Sequence, residues 1–182
     1  MKYIIKHFNT INRHRWEVFK LCVKVHIPFR GLVHDLSKFS YEEFSEGVKY
    51  YKKSNGKYSP IVLCKKDLGY SRAWLHHKGR NKHHFEYWYD LTAPEPTPII
   101  PFKYMLEMIC DRIGASKTYN RKNYKNSDVL DYFYKEEPYM TLNDNLKHYL
   151  EHVFKELKDN GEKVINKKHL YELYLKYTKK AH

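Results

Sequence analysis

Apolar residues in this chain recur every three to four positions, and no stretch alternates with a period of two for long enough to build a strand. That pattern confines the fold to packed helices. Residues 12–26 read as a buried helix with two neighbouring apolar stripes, one of Trp16, Phe19 and Val23, the other of Val18, Leu21, Cys22 and Val25. Pro28 and Gly31 then punctuate the chain. Ser40 with Glu43 three residues on forms a capping-box pattern that opens a helix to about residue 53, closed by Ser54, Asn55 and Gly56. Residues 59–69 are expected to be a loop or a short irregular element. Ser71 is a cap candidate for a helix carrying Trp74, His76 and His77, with Gly79 and Asn81 as interrupters.

Farther along, Pro94, Pro96, Pro98 and Pro101 require an extended connector. A helix over 102–115 offers Tyr104, Met105, Met108, Ile109 and Cys110 to the core, and the polar stretch 116–127 reads as a loop. Two further helices are expected over 142–158, after a Thr141 cap, and over 167–179, divided by Asn160 and Gly161. The expectation is an all-α protein: one domain over 1–182, a bundle of about six or seven helices. Its core would span about 12–115, with C-terminal helices, about 141–180, packed on it.

The composition, 42% hydrophobic and 30% charged, suits such a domain, and no apolar run is long enough for a membrane span. The N-terminus lacks the apolar stretch of a secretory signal, so the expected location is the cytoplasm, a host's if the protein is phage-encoded. Cys22, Cys64 and Cys110 are unpatterned and read as small core residues rather than as a disulfide or zinc framework. A net charge of +13 favours polyanionic partners, although the joint enrichment in Lys, Asn, Tyr and Ile is also what an A/T-rich genome would produce.

The arrangement of the histidines is more informative than the charge. His14, the pair His34-Asp35, the cluster His76, His77, His83 and His84, and then Asp111 come in that order along the chain. Imidazole and carboxylate together make the ligand set of Zn, Mn, Fe or Mg-like ions. On one continuous helix at about 100° per residue, His77, Asn81 and His84 share a face with Trp74, Phe85 and Trp88, while His76 and His83 face away with Arg80 and Tyr87. An inward row of that kind needs partners, and a metal would supply them. The competing reading is that these histidines hydrogen-bond within an aromatic core; a break at Gly79 would bring His83 back as a ligand candidate. Asp111, between Met108-Ile109-Cys110 and Ile113, is either a carboxylate in want of a cation or an exposed acid four residues after Glu107. Glu42, Glu43 and Glu46 read as a charged outer face.

This order resembles the HD superfamily of metal-dependent phosphohydrolases, whose pattern is a His, a His-Asp pair, further His residues and a late Asp on a helical core. His34-Asp35-Leu36-Ser37-Lys38 is similar to the stretch in its cyclic-dinucleotide phosphodiesterase branch, as is the segment from Cys110 to Tyr119. The chain lacks that branch's Gly-Tyr-Pro signature, with Phe85-Glu86-Tyr87 in its place, which points away from cyclic-dinucleotide cleavage. From about His14 to Leu157 it also resembles a family of small bacterial and phage proteins. The shared features there are His34 to Lys38, Glu43-Phe44, and Trp74 to Trp88 with both His pairs and Asn81.

The superfamily resemblance implies that His14, His34, Asp35 and Asp111 hold one divalent ion, with Mn, Fe, Zn, Mg, Ni and Co not distinguished. It implies that His77, His84 and His83 serve a second ion or a substrate phosphate, with Asp35 bridging or orienting water. Lys38 would act with Asp35 in catalysis and, with Arg80, Asn81 and Lys117, bind substrate. The expected partner is a phosphorylated small molecule, a nucleotide foremost; homo-oligomers stay open and a membrane does not. Two rivals remain. One is a nucleic-acid-binding module with structural histidines, using the Lys- and Tyr-rich stretches 49–53 and 119–125. The other is a non-hydrolytic His/carboxylate di-iron protein.

Overall fold

The computed structural model describes residues 2–55 and 58–179. Among them every regular element is helical. The α-helices are α1 (Lys2–Lys24), α2 (Pro28–Val33), α3 (Tyr41–Ser54), α4 (Pro60–Leu68), α5 (Arg72–Arg80), α6 (Phe102–Asn120), α7 (Ser127–Glu136), α8 (Asp144–Asn160) and α9 (Lys167–Thr178). Short 3-10 turns link several of them. None of these helices is long and apolar enough to cross a membrane.

Local chemistry explains most of the boundaries. Ser40 accepts the Glu43 amide and starts α3, and Asn55 ends it in the left-handed conformation. The Ser71 hydroxyl accepts the Trp74 amide and starts α5. Proline stands at the beginning of α2 and of α4, where its missing N–H costs nothing. Residues 60–68, expected to be irregular, are therefore a helix. The α6 helix runs through residues 116–120 as well, because Thr118 is buried and its hydroxyl bonds the Gly114 carbonyl. This places Asp111 in the middle of α6 rather than at its end. The α7 helix was not expected; Val129, Leu130 and Phe133 give it an apolar face against α8. Asn143, not Thr141, caps α8.

The central core joins α1 and α6 to α7, α8 and α9 through residues such as Val18, Leu21, Ile109, Phe133, Leu150, Phe154 and Leu170. Of the two stripes on α1, the one with Val18, Leu21, Cys22 and Val25 is buried, and the other faces out, with Trp16 57% and Val23 46% exposed. Both stripes are helical in spacing, so periodicity alone could not choose between them. All three cysteines are buried and free. The helices α3, α4 and α5 pack mainly on one another and meet the rest through α1 and the 3-10 turns Leu36–Phe39 and Phe85–Trp88.

Candidate metal centre

The His-Asp pair works as a unit because of one backbone conformation. His34 caps the C-terminus of α2, and Asp35 takes the left-handed conformation (φ 56°, ψ 25°). That conformation is uncommon outside glycine and is tolerated by Asp. It sends two adjacent side chains into the same interior, where Asp35 is fully buried and His34 nearly so.

Around Asp35 the donors fall into two sets. His14 Nε2, from α1, lies 3.2 Å from Asp35 Oδ2, 3.0 Å from Asp111 Oδ1 and 3.3 Å from His34 Nε2. His34 Nε2 in turn lies 3.3 Å from Asp35 Oδ2 and 3.4 Å from Asp111 Oδ1. Ligands about 2.1 Å from a common ion sit roughly 3.0 Å apart in octahedral and roughly 3.4 Å apart in tetrahedral coordination, so these separations match one shared ion. The second set is Asp35 with His77, His83 and His84; His77 Nε2 and His83 Nε2 each stand 3.3 Å from Asp35 Oδ1. Within each set the ligand atoms all lie within 4.8 Å of one another.

The second set holds buried polar atoms that make no hydrogen bond: Asp35 Oδ1, His83 Nε2 and His84 Nε2. Burying unsatisfied acceptors is costly, and three converging ones are the donor set a cation would satisfy. The rings are held from behind. Glu107, on α6 one turn before Asp111, accepts from Nδ1 of His34 at 3.1 Å and from Nδ1 of His83 at 3.2 Å through the same oxygen. Its other oxygen takes Arg30. Glu43, on α3, accepts from His77 Nδ1 at 2.8 Å and from His76 Nδ1 at 2.7 Å. With Nδ1–H donated backwards, each Nε2 lone pair points inward, the usual arrangement behind ligating histidines.

The charges are consistent with a cation-seeking site. Burial works against the Asp35 and Asp111 carboxylates, yet the facing histidines (and Lys38 for Asp35) hold both well below the ordinary range. Burial likewise opposes Glu107, but its bonds to His34 and His83 bring it down to about 2. His34 is disfavoured as a cation by burial and nonetheless pushed well upward by Asp35, Asp111 and Glu107. The carboxylates thus stay ionised and draw positive charge into the interior.

All the expected metal ligands, His14, His34, Asp35, His77, His83, His84 and Asp111, come together here. The route differs from the continuous-helix picture. The α5 helix ends at Arg80, so His83 returns to the centre, and Asn81 caps α5 by bonding the His77 carbonyl and the Ser37 hydroxyl. Lys38 reaches Asp35 Oδ2 at 2.5 Å and lines an open cavity of about 1270 Å³ shared with His14, His77, His83, His84 and Asp111. Arg80, Asn81 and Lys117 are not among its lining residues, and Lys117 pairs with Glu162.

Sequence reasoning missed Glu107, Glu43 and Arg30. Glu107 did carry a signal, an acid at i−4 from Asp111 on a helix otherwise apolar on that face. Glu43 reads from sequence as part of a charged outer face, but it is buried, because its cap position also looks onto α5. Glu46 is also engaged, bonding the Ser71 hydroxyl and the Ala73 amide.

A model described as a family of unknown function, DUF5662, matches residues 3–156 of the chain. No curated protein and no solved structure matches it.

Proposed function

The chain belongs to DUF5662, a family whose description assigns no activity, and from its site we propose a metal-dependent phosphohydrolase with an HD-like helical scaffold that acts on a nucleotide or another phosphate ester. The observation that carries this reading is the double use of Asp35. Its Oδ2 faces His14, His34 and Lys38, and its Oδ1 faces His77 and His83. Asp35 therefore belongs to both donor sets: His14, His34, Asp35 and Asp111 would hold one divalent ion, and Asp35, His77, His83 and His84 a second.

A bound divalent ion lowers the pKa of its water from about 15.7 toward 7 and offsets charge on phosphoryl oxygens. The chain's own residues do the rest. Asp35 holds both positions in register, while Glu107 and Glu43 fix the histidine tautomers. Lys38 stands at the cavity wall with its side chain about a quarter exposed (26%), placed to offer its ammonium to a substrate phosphate.

The test is metal content after purification without chelator, followed by a screen of nucleotides and simple phosphoesters with Mn, Mg, Zn, Ni, Co and Fe, wild type against Asp35→Ala. Metal-dependent phosphate release lost in Asp35→Ala is the expected result. Oxygen-dependent turnover on redox-active iron would replace it with the di-iron reading, and no release on any substrate would remove the hydrolase. For a nucleic-acid module, Tyr50 and Tyr51 of the stretch 49–53 are buried and cannot stack on bases, whereas Tyr119 of the stretch 119–125 is exposed.

A further inference from the structure

His7 is the buried histidine that the metal centre leaves unused. It lies on α1 seven residues before His14, nearly on the same face and about 10 Å along the axis, and it lines the same cavity. The residue is 8% exposed, and its Nδ1 is buried without a partner. Its ring rests against Phe44 and Tyr51, with centroids 5.3 and 5.6 Å away. Opposite it, in the interior of α3, stands Gly47; a Cβ there would come within 2.3 Å of His7 Nε2. Glycine is a poor residue for a helix interior, and here its missing side chain is the room the imidazole occupies. If the position only had to fill space, a phenylalanine would do so without an orphaned nitrogen.

We propose that His7 is a recognition residue of this cavity, taking a neutral hydrogen-bonding group, such as the edge of a nucleobase, from a ligand whose phosphate lies at the metal centre. The proposal rests on the phosphohydrolase reading and narrows its substrate class to nucleotides. Three features favour a neutral planar group over a second phosphate. The ring is flanked by aromatic faces, it is buried, and burial together with Lys38 keeps it uncharged by lowering its pKa to about 4. The distance along α1 suits a phosphorylated nucleoside and exceeds the reach of a phosphate alone.

Binding of AMP, GMP, CMP, UMP, ribose 5-phosphate and inorganic phosphate to the metal-loaded protein tests this, with turnover, where it occurs, resolved into KM and kcat. Wild type is expected to bind at least one of the nucleotides about tenfold more tightly than ribose 5-phosphate, the value of roughly one good hydrogen bond. His7→Phe should erase that gap while metal content and ribose 5-phosphate binding stay unchanged, and His7→Gln should keep part of it. Gly47→Ala, which displaces the ring without altering it, should also close the gap and serves if His7→Phe fails to fold. A gap that persists in both His7→Phe and Gly47→Ala, or nucleotides no tighter than ribose 5-phosphate, overturns the proposal and leaves the hydrolase standing. Metal binding without affinity for any of these phosphates overturns both.

Discussion

Two carboxylates divide control of the histidine rings, and their reach differs. Glu107 bonds one histidine of each proposed ligand set, whereas Glu43 bonds His77 alone among the ligands. Glu107→Gln keeps the volume and removes the charge that orders both rings. Metal affinity is expected to fall about 10- to 100-fold at both positions, and Glu43→Gln should weaken only one. Chelator competition with Mn or Zn reads the two steps; equal losses at both positions in the two variants would contradict the division. His7 gives a separate prediction at this scale. Its pKa falls from 6.5 to about 4 in the folded chain, so between those values the unfolded state binds more protons. Its contribution to stability is present above pH 6.5 and lost as pH drops toward 4, by roughly 3 kcal/mol at most. Unfolding free energies from pH 7 to 4 should fall less steeply in His7→Gln than in wild type.

At the scale of elements, the centre depends on how closely α1 approaches α6, since His14 and Asp111 face each other across that contact. Gly114 sets the distance. A Cβ there would stand 2.6 Å from Val18 Cγ2 and 3.1 Å from the Val18 backbone nitrogen, an obstacle that a rotamer change cannot relieve. Gly114→Ala is expected to cost about 1–3 kcal/mol and to reduce metal affinity as the helices part. Thermal unfolding and metal titration of the one variant check both halves. The same elements mark what the sequence could and could not disclose. Ser40, Ser71 and the buried stripe with Val18 and Leu21 were legible because caps and periodicity are local. The histidines and aspartates that gather at the centre were legible through their order, which survives any packing. Other features are settled by tertiary neighbours: the outward turn of Trp16, the burial of Glu43 and the return of His83 after α5 ends. The α7 helix was hidden by its polar flanks.

For the whole molecule, apolar packing and polar packing serve different parts. The large core ties α1 and α6 to α7, α8 and α9, while Tyr50, Tyr51, Cys64 and Ala73 form a smaller buried set among α3, α4 and α5. Part of what joins α3 and α5 to the remainder is polar: His77 meets Asp35 at the centre, and beside the centre His7 of α1 packs on Gly47 of α3. A metal ion bound there would therefore staple the α3–α5 group to α1 and α6. Linkage sets the size: at a free metal concentration of about 100 times Kd the gain is about 2.7 kcal/mol, on the order of a hundredfold in opening. Hydrogen exchange should accordingly slow by that order in α3, α4 and α5 when metal is added, with little change in α8 and α9, whose protection comes from the apolar core. Asp35→Ala should abolish the slowing. A uniform change across all helices would mean that the centre stabilises the fold as one unit, and no change in α5 would mean that His77 does not contribute to holding metal.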